Sequence, residues 1–218
     1  MRDEDFEYFI SKFGEATSRQ EVPSSSIEKW KGHLPDQLLS YWKEEGWCAY
    51  ADGLFWTVNP DDYEAILDDW MGETPLPGID KFHVFARTAF GKLYVWGERS
   101  GNSVVVVPAS HGIVCMKSDL KRTIKDPDFQ IAGFFAGCQQ SDADLKDTTR
   151  KELFKRALKK LGPLAPDQMY GFEPAIVAGG SMVLQNLQKV DLQAHLTILR
   201  QLGGPVHLPF ANLDMPES

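Results

Sequence analysis

Apolar positions in the first seventy residues recur at helical spacing. Phe6, Phe9, Ile10 and Phe13 stand at offsets of three, four and seven, which places them on one stripe of a helix over Glu4 to Phe13 that stops at Gly14. Ser26 is placed to cap a second helix carrying Lys29 and Trp30. A third starts near Pro35, turns Leu38, Leu39 and Trp42 inward and stops at Gly46. From Trp47 to Val58 the pattern becomes aromatic-rich and β-branched, as in one or two strands, with Ala51-Asp52-Gly53 as the turn. Tyr63, Ile66, Leu67 and Trp70 restore a helical stripe, for which Asn59 or Asp61 is the cap and Pro60 lies in the first turn.

Gly72 to Asp80, with Pro75, Pro77 and Gly78, breaks both periods and reads as a linker or long loop. Four short β-type runs follow: Phe82 to Arg87, Leu93 to Gly97, Ser103 to Val107 and Gly112 to Met116. Their spacing predicts an antiparallel meander. Helices are then expected over Asp128 to Phe135, over Asp147 to Leu161 with Leu153, Phe154, Ala157 and Leu158 on its apolar face, and over Leu192 to Leu202 with Asp191 as cap. This order of elements predicts an α+β fold with a central antiparallel sheet flanked by helices. Two parts are expected, an acidic helical part over 1–75 and a second over 80–210, whose strands can join in one continuous sheet.

The 218 residues, 43% hydrophobic and 25% charged, suit a globular protein of one large or two small domains. The segment Met1 to Phe6 has no signal-peptide character, and no apolar run nears the roughly 20 residues that cross a bilayer. A soluble cytoplasmic protein without membrane contact is expected. Cys48, Cys115 and Cys138 are odd in number and lie in apolar surroundings, as reduced structural thiols do.

The net charge of −8 is unevenly spread. Residues 1–80 hold 6 Lys+Arg against 18 Asp+Glu, a balance of −12, and residues 81–218 hold 17 against 13, a balance of +4. The first third therefore repels nucleic acid and attracts a basic partner. Glu44, Glu45, Asp52, Asp61, Asp62, Glu64, Asp68 and Asp69 are the candidate contacts, because so dense an anionic surface repels itself until a cationic partner neutralises it.

Candidate chemistry is sparse. His33, His83, His111, His195 and His207 are scattered without metal-ligand spacing, so no metal or other cofactor is expected. Ser110-His111 are sequence neighbours, which on an extended chain point to opposite faces, and no nucleophile elbow occurs. Ala178-Gly179-Gly180-Ser181 lacks the Lys-Ser/Thr of a phosphate loop and reads as a close backbone approach. No catalytic residue is assigned. Trp42, Trp47, Trp56, Trp70 and Trp96 are expected in the core, and Trp30 is the best candidate for an exposed aromatic.

Two aromatic and glycine-rich blocks carry a family resemblance. The first runs from Leu34-Pro35 through Tyr41-Trp42, Gly46-Trp47, Gly53-Leu54-Phe55-Trp56 and Val58-Asn59-Pro60 to Tyr63, Leu67 and Trp70. The second has Leu161-Gly162-Pro163-Leu164, Tyr170-Gly171-Phe172-Glu173-Pro174 and Ala178-Gly179-Gly180, then His195-Leu196 and Ile198-Leu199. Together they resemble bacterial immunity proteins that pair an N-terminal GAD-like domain with the C-terminal domain of type VI secretion DNase-immunity proteins. The resemblance implies a non-enzymatic antitoxin that binds and neutralises a cognate nuclease effector with a basic toxin domain. Glu173, Met182 and Gln185, near the loops of the second block, are an alternative contact region. The rival readings are a small-ligand-binding protein or enzyme with an aromatic-lined pocket, and an adaptor without a toxin.

Overall fold

The computed structural model describes residues 2–208; Met1 and the 209–210 end of the second expected part lie outside the described residues. Helix α1 (Glu4–Phe13) leads to strand β1 (Ser18–Gln20), α2 (Ser24–Trp30) and α3 (Asp36–Glu45). Strands β2 (Trp47–Tyr50) and β3 (Phe55–Thr57) follow, then α4 (Glu64–Met71), which is entered through a 3-10 turn over Pro60–Tyr63. Next come β4 (Phe82–Thr88), β5 (Leu93–Gly97), β6 (Gly101–Val107) and β7 (Gly112–Cys115). The remaining elements are α5 (Lys117–Lys121), α6 (Pro127–Gly137), α7 (Gln140–Ala143), α8 (Phe154–Leu161), the hairpin β8 (Gln168–Phe172) and β9 (Leu187–Asp191), and α9 (Leu192–Leu202).

The fold is α+β. Strands β1 to β7 form one antiparallel sheet in sequence order, and β3 pairs directly with β4 across the loop at 72–80. Both faces are covered, because side chains alternate along each strand. In β5, Leu93 and Val95 join one core while Tyr94 and Trp96 join the other. On the first face lie α1, α2, α3 and α6, packed through aromatics: the Phe9 ring lies 5.4 Å from both Phe55 and Phe135. On the second face α4, α8, α9 and the β8–β9 hairpin bury Trp70, Phe154, Tyr170 and Leu196 against Leu93 and Val104.

The two ends of the chain interleave. Although α6 follows the sheet in sequence, it packs on α1 and α3, where Lys12 Nζ donates to the carbonyls of Ala136 and Cys138, both at 2.6 Å. On the opposite face α9 reaches back to α4, and Trp70 Nε1 donates to the Leu196 carbonyl. Gly46 ends α3 at φ +90, and a Cβ there would come within 2.4 Å of the Gln20 carbonyl, so glycine lets β1 pass beside the helix end.

Several expectations are corrected. Pro23, not Ser26, sits at the N-terminal boundary of α2, with no side-chain cap. Trp30 is 3% exposed, because the chain folds its ring against His83 at 4.7 Å. The helix expected from Asp147 begins only at Phe154: Asp147 Oδ1 accepts from the backbone N–H groups of Thr149 and Lys151, and Arg150 adopts φ +64, which holds this stretch in a turn. Strands β8 and β9 did not stand out in the sequence, since exposed polar residues interrupt β9 and Gly171 lies within β8.

Candidate functional site

The eight acidic candidates divide by location. Glu44 and Glu45 end α3, and Asp61 and Asp62 follow β3, so these four lie at the open end of the β2–β3 hairpin. Asp52 occupies the turn at the other end, at φ 58. Glu64, Asp68 and Asp69 are exposed on α4. The helix forms because Asn59 accepts from the Asp61 N–H at its entry while Ile66, Leu67 and Trp70 bury its inner stripe. That burial turns the carboxylates outward.

Some of this charge is already matched. Arg2 Nε lies 2.7 Å from Glu45 Oε1, and Lys29 pairs with Asp61. Arg200, from α9, donates to the Asp69 carbonyl and pairs with Glu73. Among the described residues Asp52, Asp62, Glu64, Asp68 and Asp69 have no ion-pair partner. Burial, and secondarily Asp61, raises the pKa of Asp62.

Two hollows lie near the acidic residues, one along α4 and one at the 3-10 turn that enters it. An open groove of about 690 Å3 takes Glu64, Asp68 and Asp80 along its wall, with Lys81 and His83 beside them. A cavity of about 430 Å3 lies at the turn before α4, bounded by β1, by Trp47 and Trp56, by Asp62 and Tyr63, and by Pro166, Asp167 and Asp191. Sequence reasoning missed Asp167 and Asp191 as neighbours of the acidic face, because more than a hundred residues separate them from Asp62. Behind the cavity wall sits Arg87, 0% exposed, with its guanidinium 4.5 Å from the Trp56 ring centroid and Nη2 donating to the Pro166 carbonyl at 2.8 Å. Burial lowers the Arg87 pKa. The one sequence signal for it was a charge inside the apolar run of β4.

Other candidates are engaged structurally. His33 Nδ1 and His83 Nε2 both lie within 2.9 Å of Glu98 Oε1; a carboxylate only accepts, so both nitrogens donate. Burial lowers the pKa of His83. Ser110 Oγ donates to the Val107 carbonyl, whereas His111 packs on Trp70 at 5.2 Å and bonds the Gly204 carbonyl, so the two are not a nucleophile and base. His195 is buried beside Gly171. At Gly180 a Cβ would collide with the Pro174 carbonyl, which makes that glycine a point of close backbone approach. The alternative contact region around Glu173, Met182 and Gln185 lies at the loops joining β8 to β9, on the far side of the hairpin ladder from Gln168 and Asp191. No helix among the described residues is long and apolar enough to cross a membrane.

Comparison with known proteins places these features in context. Residues 4–109 match the family model of the GAD-like domain, and residues 128–203 match that of the C-terminal domain of the type VI secretion immunity protein Tdi1. The chain is also similar to the crystal structure of Atu4351 from Agrobacterium tumefaciens, with a TM-score of 0.79 and 24% identity over 90% of this chain and 88% of that one. At that identity the likeness is one of fold. No curated protein matches.

Proposed function

Starting from a chain that joins a GAD-like domain to a C-terminal domain of the Tdi1 immunity-protein family, we propose that it binds and neutralises a cognate antibacterial DNase effector of a type VI secretion system. It does so in the cytoplasm, by contact and without catalysis. The match over residues 128–203 carries this reading. The acidic face supports it physically: a nuclease surrounds its phosphate-binding cleft with Lys and Arg, and an anionic surface covers that cleft or competes with DNA for it. The effector is thus a basic protein, and the chain itself has no direct contact with nucleic acid.

The carboxylates Asp62, Glu64, Asp68 and Asp69, without ion-pair partners among the described residues, form the proposed contact surface, with Glu44, Glu45 and Asp61 at the same end of the β2–β3 hairpin as Asp62, and with Asp52 at its turn. Long-range attraction speeds encounter, and close charge pairs at protein interfaces couple by about 1.5–7 kcal/mol. Protection against a few free toxin molecules calls for a Kd of about 1 nM or below, about −12 kcal/mol. Co-expression with the toxin domain of the neighbouring gene tests the proposal. Survival with intact chromosomal DNA and a co-purifying complex is the expected result. Death with fragmented DNA, despite full expression of the chain, contradicts it.

A second reading draws on the cavity beside Trp47 and Trp56, whose aromatic walls suit a small ligand. Under that reading a defined metabolite raises the melting temperature and the neighbouring gene product does not.

A further inference from the structure

We propose that the segment from Gly203 to Leu208 is a guard strap, which covers the edge of β7 and so prevents a second copy of this chain from pairing there to continue the sheet. The inference does not depend on the partner proposed above.

The seven-stranded sheet ends in two different edges. At one end β1 is three residues long and carries Arg19, and a short, charged edge discourages pairing. At the other end β7 reads Gly112-Ile113-Val114-Cys115, without a charge or a proline, and its ladder with β6 runs over four residues without a bulge. Val114 and the following Met116 are 55% and 54% exposed. A regular, apolar edge is a template for another strand, so β7 has no protection in its own sequence.

The protection comes from the strap. After α9 the chain bends at Gly204, which has φ +67, and runs parallel to β7. There the His207 N–H donates to the His111 carbonyl at 3.1 Å, and the His207 carbonyl accepts from the Ile113 N–H at 3.0 Å. Val206 and Leu208 pack against the core of the second sheet face. Pro205 has no N–H, so the strap does not offer a continuous row of donors of its own.

His111 is an independent sign that the strap is built into the fold. It is buried at φ +49, with its ring 5.2 Å from Trp70 and Nε2 3.1 Å from the Gly204 carbonyl. A carbonyl only accepts, so Nε2 carries the proton, and the buried Nδ1 has no partner. Left-handed backbone at a non-glycine residue and an unpaired buried nitrogen both cost stability. The ring held in this way is the seat of the strap. The Gly204 carbonyl also accepts from Arg200 Nη1 at 2.7 Å, and a Cβ on Gly203 would lie 2.1 Å from His111 Cε1, so glycine is what lets the chain cross the ring.

The test is the mass of the full chain in solution, measured by light scattering, together with hydrogen exchange at the Ile113 amide. The combined variant Gly203→Val with His207→Pro sets a side chain against the His111 ring and removes the His207 N–H. It is expected to free the Ile113 amide and to form species of at least twice the mass that the unaltered chain shows at the same concentration. Adding Val114→Lys to that variant puts a charge on the uncovered edge and restores the original mass. His207→Ala, which keeps the backbone bonds, does not change it. The inference is overturned if the combined variant keeps the original mass while Ile113 exchanges freely, or if Ile113 stays protected in it. It is equally overturned if Val114→Lys leaves the association intact, because misfolding and not edge pairing then accounts for it.

Discussion

Asp62 is a carboxylate with no ion-pair partner among the described residues. Burial and its neighbour Asp61 raise its pKa above the unfolded value, so the folded state holds that proton more tightly. Its contribution to stability is full below the unfolded pKa and is lost as pH rises through the folded one. Asp62→Asn is therefore expected to raise the melting temperature at pH 7, with the gain vanishing below about pH 3.9. A lower melting temperature at pH 7 would mean that the carboxylate has a stabilising partner after all. Residue identity alone gave a partial view at this scale. The tryptophans at helical and strand spacing were readable as core, whereas Trp30 was not, since its cover comes from His83 on a strand fifty residues away. Arg87 was equally opaque: its acceptors at Thr88 and Pro166 are carbonyls, which leave no side-chain signature.

Among the elements, those whose apolar stripe is local were legible. Helix α1 and strand β5 match their expected bounds, and α9 starts at its expected cap, where Asp191 accepts from the Ala194 N–H. Helix α8 shows where this reasoning stops. Its periodicity continues upstream of Phe154, but side-chain acceptors take the backbone donors first. Asp144 Oδ1 receives the N–H groups of Leu145, Leu153 and Phe154 and serves as the effective cap. Asp144→Ala is expected to cost about 1–2 kcal/mol in urea unfolding, and Asp144→Asn, which keeps an acceptor oxygen, less. Equal losses in the two variants would show that charge, not hydrogen bonding, is what matters there. The β8–β9 hairpin was hidden because β9 is largely exposed and polar and because the fourteen-residue connection is far longer than a tight hairpin turn.

For the whole molecule, the arrangement of the parts matters more than their inventory. The sheet carries α6 on one face and α8, α9 and the hairpin on the other, so residues matched to the second family model surround strands matched to the first. That interleaving brings Asp167 to Asp62 and places Arg200 against α4. It was not readable from sequence, because nothing local specifies which face a later helix covers. The charge division was readable, and it leads to a kinetic prediction. Reversing Asp62, Glu64 and Asp68 together to Lys, while leaving Asp61 in its pair with Lys29, is expected to slow association with the effector by about 10–10³-fold at low salt. Added salt narrows the difference, as screening requires. Unchanged association would exclude this face as the steering surface.

The most direct test of neutralisation by contact is a titration of the purified chain against the effector's nuclease domain, with plasmid cleavage as the readout. The account predicts that cleavage falls in proportion to added chain and ends near one equivalent. Undiminished cleavage at large excess, or complete protection by a small fraction of an equivalent, would contradict it.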